Sequence, residues 1–287
     1  MIKVNSLAGY WREVKRLNDE LKSDEMLFFR GYSNCAYILL PSCMREPSPA
    51  KEDEEYHNIL IEYPEEFRKG EHLSNLVKMQ HYRAATRLLD FSRNPLISLY
   101  FAVESNKNAD GEVLCVKVKK SEILHHTSDK ALMLACLPPF TDEEKRHIKR
   151  FCECHRGLID DKVIERDDST GIMKRFLHEI CSEFPAFKTA IIGEDLLKSY
   201  FIRAYKDNVR MKTQDGAFLI CGLEKDNVLK YSKLGTKIDI DAGAKKEILK
   251  DLSLVGIADS TIYPGLEREI QRFKKKKAGW IDIDNLK

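Results

Sequence analysis

The chain has 287 residues, and 43% of them are hydrophobic, which is enough to bury a core in one large domain or two small ones. Lys and Arg number 48 against 46 Asp and Glu, so the formal net charge is only +2. This near-balance argues against a protein built mainly to coat DNA or an anionic membrane. No apolar run approaches the roughly 20 residues that span a bilayer, and residues 1–12 carry charges where a signal peptide would be apolar. We therefore expect a cytoplasmic protein with no membrane partner.

Eight cysteines could suggest a disulfide framework, but a chain of this length does not need one, and most of the cysteines stand singly among apolar residues. They are predicted to be reduced core thiols. One short stretch combines two histidines with two cysteines. Its Cys-x-Cys-His order fits poorly with structural zinc sites, which usually pair cysteines as Cys-x2–4-Cys, so no metal is expected. The residues of this stretch are His147, Cys152, Cys154 and His155.

The first elements follow from apolar spacing. Residues 10–21 repeat apolar side chains at helical spacing, and residues 26–29 form a short apolar run that predicts a buried strand ending in a turn at Arg30 and Gly31. Residues 51–71 predict an amphipathic helix that ends near Pro64, and residues 73–80 predict another helix.

Pro95 precedes an apolar segment with two open interpretations. Residues 96–103 are predicted to form a helix with the proline in its first turn, and a buried strand is the alternative. The alternating residues 111–118 predict a strand.

The second half predicts mostly helices. Helices are expected at 130–137, at 141–154, where Thr141 and Glu144 form a capping-box pattern, and at 171–184, with an irregular loop over 156–170. Strands are expected at 217–221 and 238–240, and helices at 242–252 and 266–273 before the basic run 274–277. We conclude that the chain is a single α+β domain over 1–287, with a mixed sheet core and a helical insertion around 130–200.

The first of three polar patches is centred on Arg30, which follows three apolar residues. One interpretation is an ion pair with a structural carboxylate, for which Asp90 is the candidate. The other is an anion clamp, because guanidinium is a planar and permanently charged fork that suits phosphate. Gly31 would then let a ligand approach the backbone closely.

The second patch covers residues 80–95, where polar residues alternate with apolar ones that must be packed. Some of the polar side chains should point inward, where each needs a partner. A structural network among Arg87, Asp90 and the backbone is one interpretation. His81 is open to three: a satisfied core histidine, a general acid or base, or a ligand donor.

The third patch covers residues 210–220, a polar segment that leads into a buried strand. Gln214 stands at the start of that strand. A turn at Asp215 and Gly216 explains the pattern without any function.

These three patches, in this order, resemble the FRG-domain family. That family has an aromatic-Arg-Gly triplet, then a Gln-His-x-Gly-x-Pro-Thr-Arg-Leu-Leu-Asp-Trp segment followed by Asn-Pro-Leu and Tyr-Phe-Ala, and finally an Arg-x3-Gln-x-Gly-x-Phe strand. The chain departs from the pattern at Arg83, Ala85 and Phe91, where the family has Gly, Pro and Trp. The matching stretches are 29–31, 80–81, 86–90, 94–96, 100–102, 210–218 and a closing segment at 256–267.

Arg30-Gly31 and residues 98–102 also look, more loosely, like the first two motifs of NAD-dependent ADP-ribosyltransferases. This similarity implies an ADP-ribosyltransferase-like fold and NAD as substrate. By it, Arg30 would hold the pyrophosphate, Gly31 would offer backbone contacts and Tyr100 would stack on nicotinamide. The ribose would be contacted by Gln214 or Glu267, and His81, Thr86 and Arg87 would line the site. Gln214 has no charge with which to stabilise an oxocarbenium-like centre.

Three functions stay open at this point. The first is an ADP-ribosyltransferase-like toxin or phage-defence effector that modifies a nucleic acid or a protein. The second is a non-catalytic module that binds a nucleotide or nucleic acid through basic residues and neighbouring aromatic rings. The third is a metal-independent hydrolase or nuclease that works through His81 and Asp90. The oligomeric state is not predicted.

Overall fold

The computed structural model describes residues 2–45, 51–68, 70–188, 190–203 and 215–263, and it has the predicted α+β architecture. Strands and helices alternate irregularly along the chain. The strands are β1 (Ile2–Val4), β2 (Glu25–Tyr32), β3 (Leu88–Ser92), β4 (Gly111–Lys119), β5 (Leu124–His125), β6 (Leu158–Asp160), β7 (Ala190–Ile192), β8 (Tyr200–Arg203), β9 (Gly216–Ile220) and β10 (Thr236–Ile240). The helices are α1 (Leu7–Asp19), α2 (Glu52–Glu62), α3 (His72–His81), α4 (Pro95–Val103), α5 (Asp129–Ala135), α6 (Asp142–Cys154), α7 (Asp161–Asp167), α8 (Ile172–Glu183), α9 (Gly193–Leu197), α10 (Lys225–Leu234), α11 (Lys245–Leu254) and α12 (Asp259–Ile262).

A mixed sheet of eight strands organises the fold, in the order β1-β10-β4-β2-β3-β9-β8-β5. The two outermost pairs, β1 with β10 and β5 with β8, are parallel, and the inner pairs are antiparallel. Strands β6 and β7 form a separate antiparallel pair. Because β2, β3 and β9 are neighbours, all three of the polar patches found in the sequence lead into one part of the sheet.

The two faces of the sheet are covered by different elements. Successive side chains of a strand point to opposite faces, so Phe29 packs in a core cluster with α1, α4 and α11, whereas Phe28 packs in the cluster on the other face with Val228 of α10. A third cluster joins helices α2, α3, α5, α6 and α8 to the β3, β8 and β9 side of the sheet. Among the described residues, no helix is both long and apolar enough to cross a bilayer.

Several sequence-predicted elements are corrected. The turn expected at Arg30 and Gly31 is wrong, because β2 continues to Tyr32 and pairs with β4 through both residues. The loop expected over 156–170 is also wrong, since β6 and α7 occupy it, with the Asp160 side chain capping α7. Strand β3 was missed because polar residues interrupt its apolar pattern. The helix predicted at 266–273 and the basic run 274–277 lie outside the described residues.

The helix interpretation of the segment after Pro95 is confirmed. Pro95 lies in the first turn of α4, and the side chain of Asn94 accepts a hydrogen bond from the backbone N–H of Leu96 as the N-cap. The predicted capping box of α6 is present as well, with Thr141 and Glu144 bonded reciprocally.

Close backbone packing places α4 against β2 and β4. A Cβ atom at Gly31 would lie 1.8 Å from the carbonyl oxygen of Ser98, and one at Gly111 would lie 2.3 Å from the carbonyl oxygen of Ala102. Gly31 was predicted to admit a ligand to the backbone. In the structure the space beside its Cα is filled by α4, so the glycine is needed for helix packing.

Candidate functional site

A cleft of about 610 Å³ opens at the end of β2, between the 36–45 segment and the start of α4. This volume falls within the range of about 300–1,000 Å³ that is usual for small-molecule sites. Arg30 and Gly31 line it from β2, Asp90 lines it from β3, and Phe101 and Glu104 line it from α4 and its end.

Arg30 is the central basic residue of the cleft. Its side chain projects from the same face of β2 as Tyr32, and its guanidinium lies 5.3 Å from the centre of the Tyr32 ring and 6.0 Å from that of Phe91. One terminal nitrogen donates to the backbone carbonyl of Asp90, while the buried Nε makes no hydrogen bond to the described part of the chain. The ion pair predicted between Arg30 and the Asp90 carboxylate is therefore wrong, because the arginine binds the carbonyl instead.

A second arginine, Arg45, also lines the cleft. Partial burial lowers the pKa of Arg45, and the like charge of Arg30 lowers it further. Burial raises the pKa of the Tyr32 hydroxyl, and both arginines oppose that rise. Within the described ranges, neither Arg30 nor Arg45 forms an ion pair with a carboxylate. Their charges are therefore available to an anion.

Polar residues of the second patch form a chain of hydrogen bonds beside the cleft. The buried Thr86 hydroxyl donates to Gln80 Oε1 over 2.5 Å, and Gln80 Nε2 donates to Asp90 Oδ2 over 2.7 Å. The Gln80 amide therefore orients the carboxylate of Asp90, which is the exposed residue at the middle of β3. The buried and hydrogen-bonded Thr86 confirms that polar side chains of the patch turn inward, whereas the bond between Gln80 and Asp90 is exposed.

Arg87 does not reach the cleft. It is only 1% exposed. Its guanidinium donates two hydrogen bonds to the Glu52 carboxylate, with Nε 2.9 Å from Oε1 and Nη2 2.5 Å from Oε2. Nη1 donates to the carbonyl of Cys221, and Lys145 Nζ lies 2.8 Å from the same Glu52 carboxylate. The predicted structural network is present at Arg87 and includes a backbone carbonyl, but its predicted carboxylate is wrong, because Arg87 meets Glu52 of α2 and not Asp90.

Two more predicted site residues lie apart from the cleft lining. Tyr100 is 4% exposed and packs in the core cluster beneath the sheet, where its hydroxyl donates to Asp259 Oδ1 over 3.5 Å. Its neighbour Phe101 is the aromatic residue of α4 that faces the cleft. His81 ends α3, with its ring 5.2 Å from that of Tyr82.

The cysteine- and histidine-containing stretch from 147 to 155 is not brought together as a cluster. Cys152 is buried and Cys154 is exposed, while His155 Nε2 contacts Asp167 over 2.8 Å and His147 Nε2 contacts Thr170. All eight cysteines are free, as the prediction of reduced thiols requires.

The family model of the FRG domain matches residues 25–111. The chain carries an FRG domain. No curated protein and no solved structure matches the chain. The matched segment begins at the first residue of β2 and ends at the first residue of β4, so the FRG domain contains both arginines of the cleft, Asp90 and all of α4.

One departure from the family pattern lies at a position where the backbone of the FRG domain favours glycine. Arg83, where the family has Gly, has a positive φ of 66° directly after the C-cap of α3. Glycine adopts this left-handed conformation at no steric cost, whereas an arginine there is strained.

Sequence reasoning missed several residues of the FRG-domain cleft. Arg45 and Glu104 stand in no recognisable motif, and Tyr32 follows the Phe-Arg-Gly triplet without belonging to it. The strand alternation of β2 is the signal that could have placed Tyr32 beside Arg30. Gln214 and Glu267, predicted to contact ribose, and Arg210 lie outside the described residues.

Proposed function

We propose that the FRG-domain cleft binds a nucleotide, with its phosphates held by Arg30 and Arg45. The observation that carries the proposal is the convergence of these two guanidiniums, unmatched by a carboxylate among the described residues, on one cleft of ligand size. A diphosphate would supply the missing negative charge and would offer acceptors to the buried Nε of Arg30.

The remaining walls of the cleft suit the ring systems of a nucleotide. Phe101 lines the cleft, and so does Tyr37, which is 52% exposed. An aromatic face stacks on any base, with a stabilisation of about 1–3 kcal/mol per base. The Tyr37 hydroxyl is held by Asn106 Nδ2 over 3.0 Å, which supports the ring at the mouth.

We propose NAD as the nucleotide and ADP-ribosyl transfer as the reaction. In that reaction the bond between nicotinamide and ribose C1′ breaks, its electron pair leaves with nicotinamide, and C1′ bonds to an acceptor oxygen or nitrogen that loses its proton to a base. The Asp90 and Glu104 carboxylates line the cleft and would stabilise the oxocarbenium-like centre. Gln214 and Glu267 remain proposed ribose contacts. In this role the protein would act as a toxin or defence effector on a nucleic-acid or protein acceptor.

Calorimetric titration with ADP-ribose and with nicotinamide tests the binding step. ADP-ribose should bind, because it carries the diphosphate. Arg30→Ala and Arg45→Ala should each weaken its binding about 10- to 100-fold, since hydrogen bonds to charged groups contribute about 1.5–3 kcal/mol. Arg166→Ala is the matched control, because that arginine is exposed and pairs with Asp167 away from the cleft. Equal affinity of the Arg30→Ala variant and the control would contradict the proposal.

Release of nicotinamide from NAD tests the reaction separately. We expect slow release by the wild-type protein and a loss of at least tenfold in Asp90→Asn. Binding of NAD without release would exclude the transferase and leave a non-catalytic nucleotide-binding module. If no nucleotide binds but single-stranded nucleic acid binds with steep salt dependence, the cleft belongs to a nucleic-acid-binding module instead.

A further inference from the structure

Three metal-ligating side chains meet in the helical part of the molecule, away from the cleft, and a fourth acidic side chain lies beside them. His72 is the first residue of α3, and Cys136 follows the last residue of α5. Glu179 and Glu183 lie one turn apart on α8. No sequence motif connects these residues, since they come from three separate helical segments.

Their spacing suits a single small cation. Each of His72, Cys136 and Glu183 offers a ligand atom, and these atoms all lie within 4.8 Å of one another. Glu183 Oε2 is 3.5 Å from Cys136 Sγ and 3.8 Å from His72 Nε2. Nitrogen, oxygen and sulfur ligands at the corners of a zinc tetrahedron lie about 3.3–3.7 Å apart, given zinc–ligand distances of about 2.0–2.3 Å.

Glu179 lies beside these three residues and is the candidate for a fourth ligand. Its Oε1 is 3.0 Å from His72 Nε2, so the imidazole nitrogen faces both carboxylates. The Glu179 side chain is 35% exposed, whereas that of Glu183 is 6% exposed. The cluster is therefore closed on the Glu183 side and accessible to an ion on the Glu179 side.

The charge balance of the cluster also favours a cation. The Glu179 and Glu183 carboxylates both lie within 4 Å of His72 Nε2, and among the described residues no Lys or Arg pairs with either carboxylate. A divalent ion would compensate the carboxylates and a thiolate together.

A supporting residue orients the imidazole. The Tyr56 hydroxyl lies 2.6 Å from His72 Nδ1, and Tyr56 is only 4% exposed. Metal-binding histidines usually engage their second ring nitrogen in such a hydrogen bond, which holds the first nitrogen toward the ion.

We infer that His72, Cys136, Glu179 and Glu183 form a structural zinc site that ties α3, the end of α5 and α8 together. With four protein ligands the coordination sphere is full, so the ion stabilises the helical module and leaves no open position for a substrate. The site is independent of the nucleotide-binding cleft.

Metal content of the full-length protein tests this inference. The protein is loaded with zinc, dialysed against metal-free buffer and analysed by mass spectrometry of the metal. We expect one zinc ion per chain in the wild type and a loss of at least tenfold in Cys136→Ser and Glu183→Gln. Cys152→Ser and Cys154→Ser are matched controls, because these cysteines stand in the other histidine-containing stretch, and both variants should keep the ion.

Cobalt substitution of the wild-type protein gives a second readout that needs no variant to fold. A thiolate-to-cobalt charge-transfer band should appear, and adding zinc should remove it. Absence of that band, failure of the wild type to retain zinc, or retention of zinc by folded Cys136→Ser and Glu183→Gln would each overturn the site. Loss of zinc in Cys154→Ser would assign the ion to the 147–155 stretch and would overturn it as well.

Discussion

Arg87 illustrates at the residue scale how a motif residue can serve the fold. It belongs to the stretch that resembles the FRG family most closely, yet its guanidinium is buried against Glu52 and a backbone carbonyl. A fully buried arginine without a partner would be very unfavourable, so the fold supplies one from α2, 35 residues away. Neither partner's position is visible in the local pattern of the other.

Replacing Glu52 tests this buried group. Glu52→Gln leaves Arg87 and Lys145 without their counter-charge, and we expect the free energy of unfolding to fall by about 3–5 kcal/mol. Glu54→Gln is the matched control on the same helix, because that side chain is 60% exposed, and it should change stability by less than about 0.5 kcal/mol. Urea denaturation measures both. Equal stabilities would show that the pair contributes little.

The same residue predicts a pH dependence. Burial by itself would raise the pKa of Glu52, but the charges of Arg87 and Lys145 outweigh it and hold the pKa below its usual range. A carboxylate whose pKa is lowered by folding stabilises the protein above its unfolded pKa of about 4.3, and the contribution disappears as pH falls through the folded pKa. The stability difference between wild type and Glu52→Gln should therefore shrink below that pH.

A substitution at Arg83 is predicted to stabilise the protein, whereas Glu52→Gln is predicted to destabilise it. Its positive φ suggests that Arg83→Gly should raise the free energy of unfolding by up to about 1 kcal/mol, even though glycine usually destabilises a chain. Arg150→Gly is the control, since an exposed position inside α6 should lose about 1 kcal/mol on the same change. Thermal unfolding of both variants decides the matter. A destabilised Arg83→Gly protein would show that the arginine side chain makes a compensating contact.

At the scale of elements, the contact between α4 and the sheet positions the cleft. The glycines of β2 and β4 let the helix backbone approach the strands, and the Asn94 cap sets where the helix begins. Because Phe101 and Glu104 project from this helix and its end, their distance from Arg30 depends on that approach. The Gly of the Phe-Arg-Gly triplet thus supports the site indirectly.

Gly31→Ala tests the packing. The added methyl would lie 1.8 Å from the Ser98 carbonyl and 2.9 Å from the Ala102 nitrogen, both of which are backbone atoms that cannot rotate away. We expect a loss of about 3 kcal/mol or more in the free energy of unfolding, at or above the upper end of the range for overpacking. Gly157→Ala has no atom within 4 Å of the new methyl and should be nearly neutral. Denaturant titration measures the stability of both variants. Equal stabilities of Gly31→Ala and Gly157→Ala would contradict the packing argument.

At the scale of the whole molecule, the order of strands decides which polar patches meet. Strand β3 lies between β2 and β9, so Asp90 comes beside Arg30 although 60 residues separate them. Helices α2, α3, α5, α6 and α8 share one core cluster beside β3, β8 and β9, and this packing brings His72, Cys136 and α8 together. The molecule thus carries two candidate sites, a cleft on the sheet and a metal site in the helical part.

The sequence alone was enough to predict the α+β class, most of the helices, several strands and the resemblance to the FRG family. Apolar periodicity, proline at a helix start and a capping box depend only on neighbouring residues. Tertiary structure alone decided that β2 runs through Arg30 and Gly31, that Arg87 pairs with Glu52, and that Phe101 rather than Tyr100 faces the cleft. These outcomes depend on contacts between residues far apart in the chain, and pairing across a sheet leaves no trace in the spacing of either partner.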